Sequence, residues 1–123
     1  MTHPIVMVIE DDQDIRESLL EVLEQNEYAP IGVSNGREAI DVLRAVPDKP
    51  CVILLDLMMP VMDGREFREL QMKDQQLGAI PIVVLSAHAD LKKATEGMHP
   101  AEALKKPVAV DSLLEIVQRY AKA

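Results

Sequence analysis

Cys51-Val-Ile-Leu-Leu-Asp56 is the stretch on which the fold turns. Five apolar residues follow one another without a break and end in a carboxylate. A strand with one wet face would alternate, whereas a continuous run rich in branched side chains suits a parallel strand covered on both sides. Ile5-Val-Met-Val-Ile9 and Ile80-Pro-Ile-Val-Val-Leu85 have the same character, and Ala29-Pro-Ile-Gly-Val33 and the short Glu102-Ala-Leu104 are weaker versions.

Helical patterns lie between these runs. Ile15, Leu19, Val22 and Leu23 recur at helical spacing, with Asp14 and Glu17 placed like a capping box. Asn35 and Glu38 give the same start signal to a second helix, which carries Ala39, Ile40, Leu43 and Val46 and stops at Pro47. Gly64 precedes a third, through Phe67 and Leu70. A fourth is expected over residues 91–97, closed early by Gly97 and Pro100. Asp111 is expected to cap the fifth, whose Leu113, Leu114, Val117 and Tyr120 make one face.

The lengths are consistent with this alternation. Five strands of about 5 residues and five helices of about 12 leave about 4 residues for each connection, which is ordinary loop length. The 123 residues therefore read as one α/β domain over residues 1–123, a doubly wound (βα)5 chain with an open five-stranded parallel sheet. Thirteen Lys and Arg against twenty-one Asp and Glu give a net charge of −8. A nucleic-acid backbone or an anionic membrane would repel such a chain, so no direct nucleic-acid binding is expected. No apolar run approaches a membrane span, and the N-terminus shows no secretory signal, so no membrane insertion is expected. The single cysteine, Cys51, reads as a small buried core residue, and a cytoplasmic location fits it. Three histidines without ligand spacing argue against zinc, and three aromatics cannot make a stacking platform.

Ligands of open parallel sheets bind beyond the carboxyl ends of the strands. The first strand ends in Glu10-Asp11-Asp12, the third in Asp56, the fourth in Ser86, and the fifth runs into Lys105-Lys106-Pro107. Carboxylates gathered on one rim repel one another unless a cation neutralises them. Oxygen-only ligands suit Mg²⁺, and a phosphoryl group could take a remaining position with Lys106 and the Ser86 hydroxyl on its other oxygens. Such a rim is suited to putting phosphate on a carboxylate.

These residues, in this order, carry a resemblance to a known family. Asp11-Asp12, then Asp56-Leu-Met-Met-Pro-Val-Met-Asp-Gly64, then Ser86-Ala87 and Lys106-Pro107 are similar to the receiver domain of two-component response regulators, and the likeness covers essentially the whole chain. The resemblance implies the flavodoxin-like receiver fold with strand order 2-1-3-4-5. It implies Asp56 as phosphoacceptor, Mg²⁺ held by Asp11, Asp12, Asp56 and the backbone carbonyl of Met58, Ser86 as the switch hydroxyl and Lys106 paired with the phosphoryl group. A cis peptide between Lys106 and Pro107 is implied too. The expected function is a signalling switch that takes phosphate from a histidine kinase or a histidine phosphotransfer protein and changes its binding to a downstream target protein. On this reading the chain is no enzyme beyond catalysing its own phosphorylation and dephosphorylation.

Three features depart from the family pattern. Ala103 stands where receivers usually carry an aromatic residue, Gly97-Met-His-Pro-Ala101 is unusual, and the interval from Ser86 to Lys106 is a residue or two short. The space an aromatic would occupy must be filled by Met98 or His88, or left as a cleft. Met58 and His88, each two residues past a key position, offer nothing that activates water, so a long-lived phosphorylated state is expected. A Mg²⁺-dependent phosphohydrolase on a related sheet is the rival reading, but Met58 occupies the place of its general acid. A receiver serving only as an interaction module is disfavoured by its full set of polar residues, and a flavin protein by the lack of a phosphate-cradling loop. The sequence ends soon after the fifth helix, as expected of either a single-domain regulator or an excised receiver.

Overall fold

In the computed structural model, residues 3–57 and 62–121 are described. The elements alternate as expected: β1 (Ile5–Ile9), α1 (Gln13–Gln25), β2 (Ala29–Val33), α2 (Gly36–Ala45), β3 (Val52–Asp56), α3 (Gly64–Lys73), β4 (Ile82–Ser86), α4 (Leu91–Ala94), β5 (Glu102–Lys105) and α5 (Val110–Ala121). All strand pairs are parallel, in the order β2-β1-β3-β4-β5.

The strand alternation divides the core in two. Met7, Ile9, Ile53, Leu55, Ile82 and Val84 face one side, where Ala39, Ile40 and Leu43 of α2 and Phe67 of α3 cover them. Val6, Val8, Val52, Leu54, Val83 and Leu85 face the other, under Leu23 of α1 and Leu113, Ile116 and Val117 of α5. Apolar side chains on both faces explain why these three strands read as unbroken apolar runs.

The helix starts correct two expectations. Asp12, not Asp14, caps α1: its Oδ1 accepts from the Ile15 backbone N–H at 3.0 Å. Asp14 lies in the first turn, where its charge still complements the helix dipole. At α5 the helix begins at Val110, and Asp111 falls inside the first turn instead of capping it. Asn35 does cap α2, accepting from Glu38 N–H at 2.9 Å, and Asp63 caps α3, accepting from Glu66 N–H at 2.9 Å. The fourth strand starts at Ile82 instead of Ile80, since Pro81 has no N–H to give a ladder. Helix α4 is a single turn, shorter than the expected 91–97. Cys51 is half-buried against the second core instead of fully enclosed. Among the described residues no helix is long and apolar enough to cross a membrane.

Candidate functional site

The sheet order brings the carboxyl ends of β1, β3 and β4 side by side, with β5 next to β4. Asp56 is the last residue of β3 and only 4% exposed. Ser86, 3% exposed, ends β4 one position beyond Leu85, the register partner of Asp56. The Lys106 N–H bonds to the Ser86 carbonyl at 2.9 Å, so the end of β4 fixes where that lysine leaves the sheet. The bond from Lys106 to Pro107 is cis, as the resemblance implies.

Three carboxylates meet here, and they are those of Glu10, Asp11 and Asp56, whose oxygens lie within 4.8 Å of one another. Asp12 is not among them, because its carboxylate is spent on the α1 N-terminus. Of the residues expected to hold the cation, Asp11 and Asp56 lie in this cluster, and Glu10 joins them. β1 ends at Ile9, so the two residues immediately after it reach the rim and the third begins the helix. Met58, expected to contribute a backbone carbonyl, lies outside the described residues.

Glu10 is 2% exposed, and each of its oxygens accepts a hydrogen bond. Its Oε1 accepts from Lys106 Nζ at 3.1 Å and its Oε2 from the Asp12 N–H at 3.3 Å. The same Nζ lies 3.3 Å from Asp56 Oδ1. Burial above all, then a hydrogen bond to Asp56 and that group's negative charge, push the Glu10 carboxyl up from 4.5 to about 7, against the pull of Lys106 and the Asp12 N–H. For Lys106, burial works against the ammonium, but the hydrogen bond to Glu10 and the charges of Asp56 and Glu10 prevail, and its pKa rises. With every acid ionised, three carboxylates against one ammonium leave two negative charges in excess. A divalent cation bound by oxygens would neutralise them, and the donor set fits Mg²⁺.

A pH dependence follows from Glu10. An acid whose pKa is raised on folding adds stability that is complete below its unfolded value and is lost as pH rises through its folded value. In metal-free buffer the urea midpoint should therefore fall between about pH 4.5 and about pH 7, and Glu10→Gln should flatten that fall. Parallel curves for the parent and the variant would contradict the assignment.

Met98, 3% exposed, belongs to the core against which Ala94 and Ala103 pack, while His88 is exposed. The His88 N–H donates to Ser86 Oγ at 3.1 Å, and His88 Nδ1 accepts from the Asp90 N–H at 3.0 Å. A cleft of about 520 Å³ remains beside Ser86, lined by Leu57, Ala87 and Ala94 and edged by Arg65, His88 and Lys93.

A doubly wound parallel sheet with a carboxylate ending its third strand, an acidic rim and a lysine within reach defines a class of phosphoacceptor signalling domains. The family model for the response regulator receiver domain matches residues 6–118, and the chain belongs to that family. It is 36% identical over 112 residues to the response regulator MprA of Mycolicibacterium vanbaalenii, a match covering 89% of this chain and 46% of that protein. The chain thus spans about half the length of the curated relatives it matches. Among solved structures, the chemotaxis response regulator CheY4 of Vibrio cholerae superposes with a TM-score of 0.86 at 27% identity, covering 97% of this chain and 99% of that one. The phosphorylated cyanobacterial phytochrome response regulator RcpA does so with a TM-score of 0.79 at 28% identity, covering 96% and 91%.

Proposed function

We propose that residues 1–123 form one receiver domain in which Asp56 takes a phosphoryl group from a phosphohistidine of a kinase or phosphotransfer protein. The observation that carries this is the position of Asp56, a buried carboxylate ending an apolar central strand 3.3 Å from Lys106. Burying such a group is costly unless it is paired, and Lys106 supplies the partner. An oxygen of Asp56 forms the new bond to phosphorus, the bond from phosphorus to the histidine nitrogen breaks, and that nitrogen keeps the electron pair and later takes a proton. Lys106 holds an ammonium beside the oxygens that gain charge, and Ser86 offers a hydroxyl whose oxygen already accepts from His88, leaving its hydrogen to donate. Glu10, Asp11 and Asp56 would hold Mg²⁺, with the Met58 carbonyl as a further ligand. The cation would supply the charge compensation that lets a carboxylate meet an anionic phosphate. RcpA, a relative with this fold, was solved in a phosphorylated state. The chain's own catalysis is confined to gaining and losing this group, and the downstream partner is a protein.

Mg²⁺ titration separates the proposed ligands from the neighbouring cap. Glu10→Gln and Asp11→Asn should each weaken binding by at least the roughly tenfold that loss of even an outer-shell partner causes. Asp12→Asn, which keeps an equally good N-cap, should leave the affinity nearly unchanged. Weakening by Asp12→Asn alone would restore the pair expected from sequence.

A further inference from the structure

Two arginines of α3 hold the end of α4 and the chain that follows it, and they have no part in the chemistry described above. Arg65 donates to the backbone carbonyls of Lys93, Ala94 and Glu96 at 3.3, 2.8 and 3.0 Å. Arg68 donates to those of Met98 and His99 at 2.8 and 3.0 Å, and to Gln71 Oε1 at 2.6 Å. Five carbonyls in the segment from 93 to 99 thus rest on two guanidinium groups. A one-turn helix leaves its last carbonyls without internal partners, and a cation there satisfies them and opposes the dipole. Within the segment Gly97 and His99 both have positive φ, at 80° and 50°.

The first residue of α3, next to Arg65, is seated on the phosphoacceptor strand. The Gly64 N–H donates to the Leu57 carbonyl at 3.0 Å. A Cβ at Gly64 would lie 2.9 Å from Leu57 Cα and 3.0 Å from the Asp56 carbonyl oxygen, so helix and strand end meet with no slack. The first five residues of α3 therefore join the Asp56–Leu57 backbone to the 93–99 backbone. Met98, whose carbonyl Arg68 holds, is buried in the core against which Ala103 packs.

We infer that Arg65 and Arg68 are positioning residues that carry a change at Asp56 through α3 to residues 93–99, so that this segment reports phosphorylation in a chain whose β5 has no aromatic ring to move. The inference rests on Asp56 being the phosphoacceptor. Interior packing has discrete arrangements and little compliance, so a displacement of the Asp56–Leu57 backbone passes to whatever is bonded rigidly to it.

The test records backbone amide shifts of the full chain with and without Mg²⁺ and fluoroberyllate, a phosphoryl mimic, in the parent, Arg65→Gln and Arg65→Lys. Arg65 is exposed, so its replacement should leave the fold intact. The parent should respond both at Asp11, Ser86 and Lys106 and over residues 93–99. In Arg65→Gln the response over 93–99, scaled to that at Ser86 in the same sample, should fall about threefold or more, and Arg65→Lys should recover part of it. A merely structural role would shift the resting spectrum without changing that ratio. An unchanged ratio in Arg65→Gln, or a parent that responds at Ser86 and stays silent over 93–99, would overturn the inference alone. A parent with no response at Asp11, Ser86 or Lys106 would overturn the phosphoacceptor reading and the inference with it.

Discussion

Incubated with Mg²⁺ and acetyl phosphate, the parent chain should gain one phosphoryl group, and Asp56→Asn should gain none. The amide is nearly isosteric, and it keeps an oxygen toward Lys106 Nζ, which lies 3.3 Å from Asp56 Oδ1 in the parent. What it loses is the anionic nucleophile, for which neither neighbour is a ready substitute. Glu10 is pinned by Lys106 and the Asp12 N–H. Asp11 is exposed and does not end a strand. Chelating the cation should abolish labelling of the parent as well, because three carboxylates would otherwise face an incoming anion with one ammonium among them. Intact-mass measurement decides the matter, and labelling of Asp56→Asn at the parental rate would remove Asp56 from its role.

Gly64→Ala should have the second largest effect. The added methyl would press on Leu57 Cα and the Asp56 carbonyl, which are backbone atoms that cannot rotate away. Overpacking of this kind destabilises by about 1–3 kcal/mol. The same pressure displaces the acceptor carboxylate, and a misplacement of about 1 Å can slow chemistry about a hundredfold. Urea unfolding and the acetyl phosphate labelling rate should therefore both suffer. Gly97→Ala is the matched comparison: it is strained by φ 80° but touches nothing within 4 Å, so it should lose stability while labelling normally. Equal labelling rates in the two variants would show that the contact of α3 with the strand end does not position Asp56.

Much of this was legible in the sequence because burial on two faces leaves an unmistakable trace. Ile5–Ile9 reads as a strand because both of its sides are covered, and the same holds for the runs ending at Asp56 and Ser86. Asp56, Ser86 and Lys106 could be picked out because each stands where such a run stops. The acidic run after β1 was harder. Three consecutive acids all look alike as candidates, and only the register of β1 and the cap of α1 show that Glu10 turns to the rim while Asp12 turns to the helix. The arginines of α3 carried no signal at all. Their partners are backbone carbonyls about thirty positions away, and a carbonyl has no residue type to read. The short α4 was foreshadowed by Gly97 and Pro100, but its dependence on Arg65 was not.

The central claim is that Asp56, and no other acid of the rim, carries the phosphoryl group. Reduction of the acetyl-phosphate-labelled chain with borohydride converts an aspartyl phosphate to homoserine, and peptide sequencing then locates the altered residue. Homoserine at position 56, absent when labelling is done without Mg²⁺, is the predicted result. Conversion at Asp11 or another acid, or a labelled chain in which residue 56 is still aspartate, would contradict it.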